Sequence, residues 1–222
     1  MDDDHNFGYM RYLNDMYMIH KVCEYFQPTN VLEIGFFMGQ TFGIMYEACP
    51  ETTQFTSVDN NYKYRATFDT LFPDQSRMTF VYQDSKLIHF DADTFNFVMV
   101  DGDHSYEYAS NDIDKAFECI QENGILAVDD WHMEGVEKAI ITNIINKTEW
   151  VPFLYADAVL YFHHPSHDAS EFLDTWLHQC REFVKLHNIT LRLGDKEFTV
   201  LKSFIRYESI NDFINILKQY NL

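Results

Sequence analysis

Apolar residues along the first two thirds of the chain follow two alternating patterns. Short continuous apolar runs, typical of strands buried on both faces, are separated by stretches in which apolar residues recur every three to four positions, typical of amphipathic helices. Strands are predicted over 31–34, 53–58, 78–82, 95–100 and 125–128, and helices over 10–26, 41–48, 64–72, 106–120 and 136–145. This alternation predicts a parallel sheet with helices on both of its faces.

The pattern changes after Trp150. One or two strands are predicted within 150–162, a long helix over 169–187, a hairpin over 189–204 and a closing amphipathic helix over 209–220. Gly124 is expected to cap the helix that ends at Ile120, and Gly194 is expected at the turn of the hairpin. The predicted fold class is therefore a Rossmann-like, doubly wound α/β fold whose mostly parallel sheet has an antiparallel C-terminal edge.

The charge of the chain argues against some classes of partner. Its formal net charge is -19, which would repel the phosphate backbone of a nucleic acid and an anionic membrane surface, so neither is expected as a partner. No apolar run approaches the roughly 20 residues needed to span a bilayer, and the N-terminus lacks the basic start of a signal peptide. The four cysteines are scattered, which indicates a reducing compartment. The expected location is the cytoplasm.

Polar residues end or follow each of the five predicted parallel strands. They are Glu33 with Gly35, Asp59, Asp84 with Ser85, Asp101 to His104, and Asp129 with Asp130. Any one of them is equally well explained by a turn, because Asp, Gly and Ser favour turns. The carboxyl ends of parallel strands share one edge of the sheet, however, and ligands bind at that edge. Together these positions indicate a ligand site.

The turn from Glu33 to Gly39 limits what the ligand can be. Gly35 and Gly39 permit tight backbone geometry and close approach of a ligand to a helix N-terminus. The third glycine of the dinucleotide-binding pattern is missing, and an acid at the strand end would repel phosphate but suit an ammonium group. Asp59 is spaced to bind ribose hydroxyls, and Asp84 to bind the exocyclic amine of an adenine. The predicted ligand has an amine, a ribose and an adenine but no phosphate.

Three segments of the chain carry a family resemblance. Residues 31–41, Val-Leu-Glu-Ile-Gly-Phe-Phe-Met-Gly-Gln-Thr, resemble the first motif of the class I S-adenosylmethionine-dependent methyltransferases, in the version seen in the catechol and caffeoyl-CoA O-methyltransferase group. Residues 97–106 and 124–130 resemble more specifically the bacterial and phage relatives that include macrolide-sugar O-methyltransferases. The resemblance covers about 31–130, and its three motifs occur in the family's order.

The resemblance implies a position for each part of S-adenosylmethionine. Glu33 and the backbone around the two glycines of the turn would hold the methionine end, Asp59 the ribose, and Asp84 with Ser85 the adenine. The full set of cofactor-binding residues that it implies is Glu33, Gly35, Phe36, Gly39, Thr41, Asp59, Asn60, Asp84, Ser85 and Asp101.

The resemblance also implies a metal ion and a general base. In metal-dependent members of the family, the residues that match Asp101, Asp129 and Asp130 hold one divalent cation, and three hard oxygen ligands suit Mg²⁺. Asp130 stands where the catechol enzymes carry Asn, whereas the sugar-methylating relatives tolerate Asp. His104 stands where the sugar enzymes carry a histidine, so His104 and Asp101 are the expected catalytic residues. The alternative for His104 is a helix-cap histidine paired with Asp103.

The function predicted from these motifs is metal-assisted O-methylation of a sugar, polyol or phenol. A single domain over 1–222 is expected, with an N-terminal helix over 1–30, a cofactor-binding core over 31–149 and C-terminal strands and helices over 150–222. One alternative is a member of the fold with altered chemistry, either hydroxylase-like or cofactor-binding only. Another is a metal-independent methyltransferase whose acid pair binds substrate. The oligomeric state stays open, although relatives commonly form homodimers.

Overall fold

One sheet of nine strands forms the centre of the described chain. The structure is a computed structural model and describes residues 3–165, 184–205 and 214. The strands are β1 (Asn30–Ile34), β2 (Gln54–Asp59), β3 (Met78–Tyr82), β4 (Phe95–Val100), β5 (Ile120–Val128), β6 (Val151–Ala156), β7 (Val159–His163), β8 (Val184–Leu193) and β9 (Lys196–Ile205). The α-helices are α1 (Asp3–Phe26), α2 (Gln40–Ala48), α3 (Tyr62–Leu71), α4 (Tyr106–Cys119) and α5 (Glu134–Ala139), and α5 continues as a π-helix over Ile140–Ile145.

The strand order confirms the predicted fold class. Across the sheet the order is β3-β2-β1-β4-β5-β7-β6-β9-β8. The strands from β3 to β5 are parallel, and β7 then pairs antiparallel with β5. The C-terminal strands add antiparallel pairs at β6–β7 and β8–β9, although β6 and β9 pair in parallel. The chain leaves β1 for β2 on one side and places β4 on the other, which creates a crevice at the carboxyl end of β1.

Both faces of the sheet are buried, which explains the continuous apolar runs of the strands. In β4, Phe97 and Met99 point into the core layer that contains α1, α2 and α3, whereas Val98 and Val100 point into the layer that contains α4 and α5. Successive strand residues face opposite sides of a sheet, so a strand covered on both sides is apolar at most positions, and Asn96 is the one polar residue of β4.

Two predicted features are wrong in their details. Gly124 does not cap a helix: α4 ends at Cys119, and Gly124 lies within β5, beside a shift in the register between β4 and β5. A Cβ on Gly124 would lie 3.0 Å from the carbonyl oxygen of Asn96, so the glycine allows the two strands to approach. Residues 184–187 belong to β8 and not to the end of a long helix, because they alternate between the two faces and pair with β9.

The hairpin turning at Gly194 and the two strands around Asp157 are confirmed. The rest of the predicted long helix, 169–183, lies outside the described residues, as does the predicted helix over 209–220 except for Ile214. That residue is helical and packs against the core on the α1 side. Within the described residues, every helix is too short or too polar to cross a membrane.

Candidate active site

Three of the polar strand ends lie side by side because the hydrogen bonding of the sheet continues past them. The main-chain N–H of Gly35 donates to β2, that of Asp101 donates to β1, and that of Asp129 donates to β4, at distances of 2.8 to 2.9 Å. The crevice at the end of β1 is therefore bordered by residues that are far apart in the sequence. This part of the predicted site is brought together by the fold.

The glycine turn after β1 has the tight geometry that its sequence predicts. Gly35 has φ +100°, and a Cβ there would lie 2.0 Å from the carbonyl oxygen of Asp101. Gly39 has φ +77° and stands at the N-cap of α2, with the ring of Phe36 directly beneath its Cα. Phe36 is buried among other phenylalanines, and Thr41 is buried in the first turn of α2. No other residue type fits at Gly35 without moving the backbone that follows β4.

Asp59 holds the glycine turn in place. Its Oδ2 accepts hydrogen bonds from the main-chain N–H groups of Phe36 (3.0 Å) and Phe37 (3.1 Å), and its Oδ1 accepts one from Asn61 (2.8 Å). A carboxylate oxygen has more than one lone pair, so these bonds leave acceptor capacity for a ligand hydroxyl. Asp59 and Asn60 both line a cavity of about 420 Å³, which we call the turn cavity.

Glu33, two residues before Gly35, is a fully buried carboxyl group and is not among the residues that line the turn cavity. Ser57 donates a 2.9 Å hydrogen bond to its Oε2, whereas Oε1 has no hydrogen-bond partner among the described residues. Burial, and to a smaller extent the charge of Asp59, raises the pKa of Glu33 well above its usual range. A buried oxygen without a partner is costly, so this position favours a ligand that donates a hydrogen bond.

The adenine side of the turn cavity differs from the prediction in one respect. Ser85 lines the turn cavity, together with Gln83, Tyr108 and Asp112. Asp84 is not part of that wall: its Oδ1 accepts from the main-chain N–H of Lys86 (3.0 Å), and its Oδ2 accepts from the hydroxyl of Tyr108 (3.1 Å). The carboxyl group of Asp84 thus positions Tyr108, and its own contact with adenine stays a prediction.

A second and larger cavity, of about 650 Å³, lies on the other side of the crevice. We call it the acidic cavity, because its wall includes four carboxyl groups and two imidazoles: Asp15, Asp101, Asp129, Asp130, His104 and His132. Phe37, Asp101 and Gly102 line both this cavity and the turn cavity. The two cavities therefore adjoin at Asp101.

The carboxyl groups of Asp101 and Asp129 are hydrogen bonded to each other. Burial raises the pKa of Asp101 well above its usual range, with the charges of Asp129 and Glu33 acting in the same direction. Burial also raises the pKa of Asp129, against the hydrogen bond that it accepts from the main chain of Asp130. Two enclosed carboxyl groups in contact cannot both ionise at low cost, so the pair shares a proton unless a positive charge is present.

The three predicted metal ligands do not form one prepared site. Asp101 and Asp129 are in contact and are hard oxygen donors, which fits a divalent cation. The carboxylate of Asp130 is directed instead to His104, and Asp130 itself has a left-handed backbone, with φ +48°. Among the residues that the structure describes, no group of three or more His, Cys, Asp or Glu side chains is arranged to hold a metal ion. The prediction of a three-aspartate Mg²⁺ site is not supported by this geometry.

His104 is paired across the acidic cavity and not with its neighbour in sequence. Its Nε2 lies 3.3 Å from Oδ2 of Asp130, and both side chains are about one third exposed. Asp103 accepts a 2.9 Å hydrogen bond from the main-chain N–H of Ser105, and Ser105 is the N-cap of α4. The helix cap is thus supplied by Ser105, and His104 pairs with Asp130, while its catalytic role stays a prediction.

Asp15 is a wall residue that the sequence analysis did not identify. It lies on α1, only 6% of its surface is exposed, and its Oδ1 accepts a 3.1 Å hydrogen bond from the main-chain N–H of Ala158. The one signal in the sequence is that Asn14 and Asp15 interrupt the otherwise apolar and aromatic stretch 12–19 of α1. Such an interruption does not reveal which element the acid will face.

Known proteins support the family that the motifs indicate. Residues 32–131 match the family described as "Methyltransferase domain". The chain has no match among curated protein sequences. A proposed caffeoyl-CoA O-methyltransferase of Staphylococcus aureus shares the fold with a TM-score of 0.56 at 11% identity, over 67% of this chain and 81% of that one.

Two further solved structures show how widely the fold is used. The N-methyltransferase NodS of Bradyrhizobium japonicum, in complex with S-adenosyl-L-homocysteine, matches with a TM-score of 0.52 at 15% identity, over 68% of this chain and 86% of that one. A TDP-rhamnose 3′-O-methyltransferase of calicheamicin biosynthesis matches with a TM-score of 0.50 at 14% identity, over 72% of this chain and 80% of that one. Because these proteins methylate different atoms, the shared fold does not identify the acceptor. Residues 32–131 of this chain are therefore similar to the methyltransferase domain family, and the described chain has the fold that these solved methyltransferases share.

Proposed function

We propose that the protein binds S-adenosylmethionine in the crevice at the end of β1 and transfers its methyl group to a hydroxyl oxygen of a small molecule in the acidic cavity. The observation that carries this proposal is the meeting of the two cavities at Asp101. A donor whose nucleoside occupies the turn cavity has its sulfonium end at that junction. The acceptor then approaches from the acidic cavity.

The turn cavity and the residues near it suit each end of this donor. Asp59 and Asn60 offer acceptors for ribose hydroxyls, and Ser85 lies where the adenine would be. The Oε1 of Glu33, two residues before Gly35, has no partner among the described residues, and an ammonium group would satisfy it. Glycine at positions 35 and 39 leaves room for the methionine end against the backbone.

The transfer is an in-line displacement in which one bond replaces another. The acceptor oxygen forms a bond to the methyl carbon while the bond from that carbon to sulfur breaks, and the hydroxyl proton leaves with a base. We assign the base to His104, with Nε2–H donated to Asp130 and the lone pair of Nδ1 available for the proton. Asp130 then stabilises the imidazolium that forms. The products are the methyl ether and S-adenosylhomocysteine.

Assistance by a divalent cation remains a prediction of the sequence. Asp101 and Asp129 suit such an ion, but Asp130 is engaged by His104, so no step of the mechanism above passes through a metal. Turnover that is lost in excess chelator and restored by Mg²⁺ would establish the assistance. Turnover that is unchanged in excess chelator would show that the acid pair serves the acceptor instead.

Calorimetric titration with S-adenosylmethionine tests the cofactor half of the proposal. We expect saturable binding to the wild-type protein and, for Glu33→Gln, an affinity lower by about 10-fold or more, because the negative charge that strengthens the hydrogen bond from the ammonium group is lost. NAD⁺ serves as the control ligand and should not bind. An absence of S-adenosylmethionine binding would contradict the proposal.

Release of S-adenosylhomocysteine from a panel of sugars, polyols and phenols tests the catalytic half. For His104→Asn we expect turnover to fall by about 10²- to 10⁴-fold with little change in cofactor affinity. His132→Asn is the matched control, because it removes an imidazole from the same wall without removing the proposed base. A normal rate for His104→Asn would show that His104 is not the base.

The same panel distinguishes the other class of function. Cofactor binding without release of S-adenosylhomocysteine, for any acceptor in the panel, would indicate a cofactor-binding protein or one with altered chemistry. The pairing of His104 with Asp130 favours turnover, because a binding protein has no need of an oriented imidazole at the acceptor side.

A further inference from the structure

The acidic cavity lacks an obvious source of positive charge. Four carboxyl groups line it, and the side chains described in its wall include no Lys or Arg. His104 and His132 are the only groups in that described lining that can become positive. An anionic acceptor would therefore meet repulsion, whereas a cationic acceptor would be attracted.

Asp15 differs from the other three carboxyl groups of the wall because it is carried by a helix. Asp101, Asp129 and Asp130 follow strands of the sheet, whereas Asp15 is carried by α1. It lines the acidic cavity and is not among the residues that line the turn cavity. Its position therefore suits contact with the acceptor and not with the nucleoside.

The structure holds Asp15 in place through the turn between β6 and β7. Oδ1 of Asp15 accepts a hydrogen bond from the main-chain N–H of Ala158. The neighbouring Asn14 donates to Oδ2 of Asp157 (3.0 Å) and to the carbonyl oxygen of Ser203 (3.2 Å). Two adjacent side chains of α1 thus bind the same turn, which fixes the carboxyl group against the cavity.

Burial, and next the charge of Asp129, raises the pKa of Asp15 to about 8. The direction of this shift indicates that, among the described residues, burial and neighbouring carboxylates outweigh whatever stabilises the carboxylate form. A cation placed in the cavity would supply that charge. The buried position gives such a contact more strength than it would have on the surface.

We propose that Asp15 is a specificity-determining residue and that the acceptor carries a protonated amine in addition to the hydroxyl that is methylated. Asp15 binds the ammonium group from the α1 side, while His104 and the acid pair face the hydroxyl. This inference rests on the proposed function, which supplies the reaction, and adds to it the chemical class of the acceptor. Amino sugars and amine-bearing phenols belong to this class.

Two series of small molecules that differ only in charge test the proposal. One series is glucosamine, glucose and glucuronate, and the other is tyramine, 4-ethylphenol and 3-(4-hydroxyphenyl)propionate. Binding of each to the protein saturated with S-adenosylhomocysteine is measured by calorimetry, and binding to the protein alone by thermal shift. Release of S-adenosylhomocysteine is measured separately, so a failure of methyl transfer is distinguishable from a failure of charge recognition.

We expect at least one amine to bind about 10-fold or more tightly than its neutral counterpart, because the ammonium group gains a charge-assisted hydrogen bond. We expect the carboxylates to bind least, because the acids of the cavity repel them. Asp15→Asn should bring the ratio of amine to neutral affinity to within about twofold, without changing the affinity for S-adenosylmethionine. Asp114→Asn, which removes a half-exposed carboxylate of α4, should leave that ratio unchanged.

Several results would overturn the proposal. They are equal or better binding of the neutral or anionic members, no detectable binding of either amine, and a preference for amines that survives in Asp15→Asn. Arg11→Gln provides a further check, because Arg11 is the basic residue nearest to Asp15 in the N-terminal helix sequence. A preference for amines that appears or strengthens only in Arg11→Gln would show that Asp15 is neutralised within the protein.

Discussion

The buried carboxyl groups of this protein behave differently from the many exposed acids that give the chain its charge. Glu33, Asp15, Asp101 and Asp129 all have a pKa raised mainly by burial. Each costs stability when it ionises, and each borders or underlies the site proposed for the cofactor and acceptor. Such costs are tolerated where function needs the group.

The pH dependence of stability should reveal Asp15. Its pKa rises from 3.8 in the unfolded chain to about 8 in the folded protein. The folded state therefore holds the proton between these values, and the free energy of unfolding falls as the pH rises from about 4 to about 8. The full effect is at most roughly 6 kcal/mol, since one pKa unit corresponds to about 1.4 kcal/mol.

Asp15→Asn should reduce this slope and make the protein more stable than wild type at pH 8, but not at pH 4. Urea unfolding at several pH values measures the free energy of unfolding of each variant. The slope will not vanish, because Asp101 and Glu33 act in the same direction. Asp114→Asn is the control and should run parallel to the wild type. Parallel curves for Asp15→Asn would contradict the expectation.

Gly35 should be the least replaceable glycine of the site. In Gly35→Ala the new Cβ would lie 2.0 Å from the backbone oxygen of Asp101, which follows β4, and φ is +100°. We expect a loss of about 3 kcal/mol or more in the free energy of unfolding, since both strain and a backbone clash must be relieved.

Gly194→Ala is the matched control for Gly35→Ala. Its φ is also positive, at +60°, but its Cβ would meet only the side chain of Ile141, at 3.2 Å. We expect a loss of about 1 to 2 kcal/mol there, from the left-handed backbone alone. Equal losses for the two variants in urea unfolding would show that the close approach at Gly35 is unimportant.

At the scale of elements, α1 packs against the core of the parallel strands and is hydrogen bonded to the C-terminal strands. Asn14 is buried and bonds both the turn between β6 and β7 and the main chain of β9. The edge strands depend on this contact more than the central strands do, because β9 pairs with β6 at only two positions, Leu154 with Leu201 and Tyr155 with Lys202.

Asn14→Ala should therefore lower the free energy of unfolding by about 2 kcal/mol or more, because two buried acceptors lose their donor. Asn188→Ala, at an exposed position of β8, should change it by no more than about 0.5 kcal/mol. Hydrogen exchange would show where the loss occurs, and we expect faster exchange in β9 before β1. A uniform change across the sheet would contradict a role of Asn14 as a local tie.

The elements also show where local patterns are sufficient and where they are not. The continuous apolar run of β4 could only be a strand buried on both faces, and it is one. The residues 184–187 have no such run, and their alternation became visible only through their pairing with β9. Gly124 comes shortly after a segment with the apolar spacing of a helix, which is why a helix cap is predicted there. The helix ends at Cys119, however, and residues 120–128 form β5.

At the scale of the whole molecule, the net charge of -19 should destabilise the compact state through self-repulsion. Screening by salt weakens this repulsion. We therefore expect the midpoint of thermal unfolding to rise between low and moderate NaCl concentrations. Choline chloride should have the same effect at equal ionic strength, because screening does not depend on the identity of the cation. A midpoint that is flat or falls with salt would contradict the expectation.

By itself, the sequence determined the class of fold, the positions of the first five strands along the chain and the identity of the glycine turn. These features are local: they depend on periodicity within one element and on motifs of a few consecutive residues. The positions at the ends of β1, β2, β4 and β5 could be predicted to meet, because parallel strands place their carboxyl ends at one edge.

Only the tertiary structure decided which side chains share a cavity and what each one faces. Asp84 precedes Ser85 in the sequence but is directed to Tyr108, and Asp130 follows Asp129 but is directed to His104. Asp15 lines the same cavity as Asp101 but lies on α1, about 86 residues earlier in the sequence. The physical reason is that a side chain's partners are set by packing between distant elements, for which a single sequence carries no local signal.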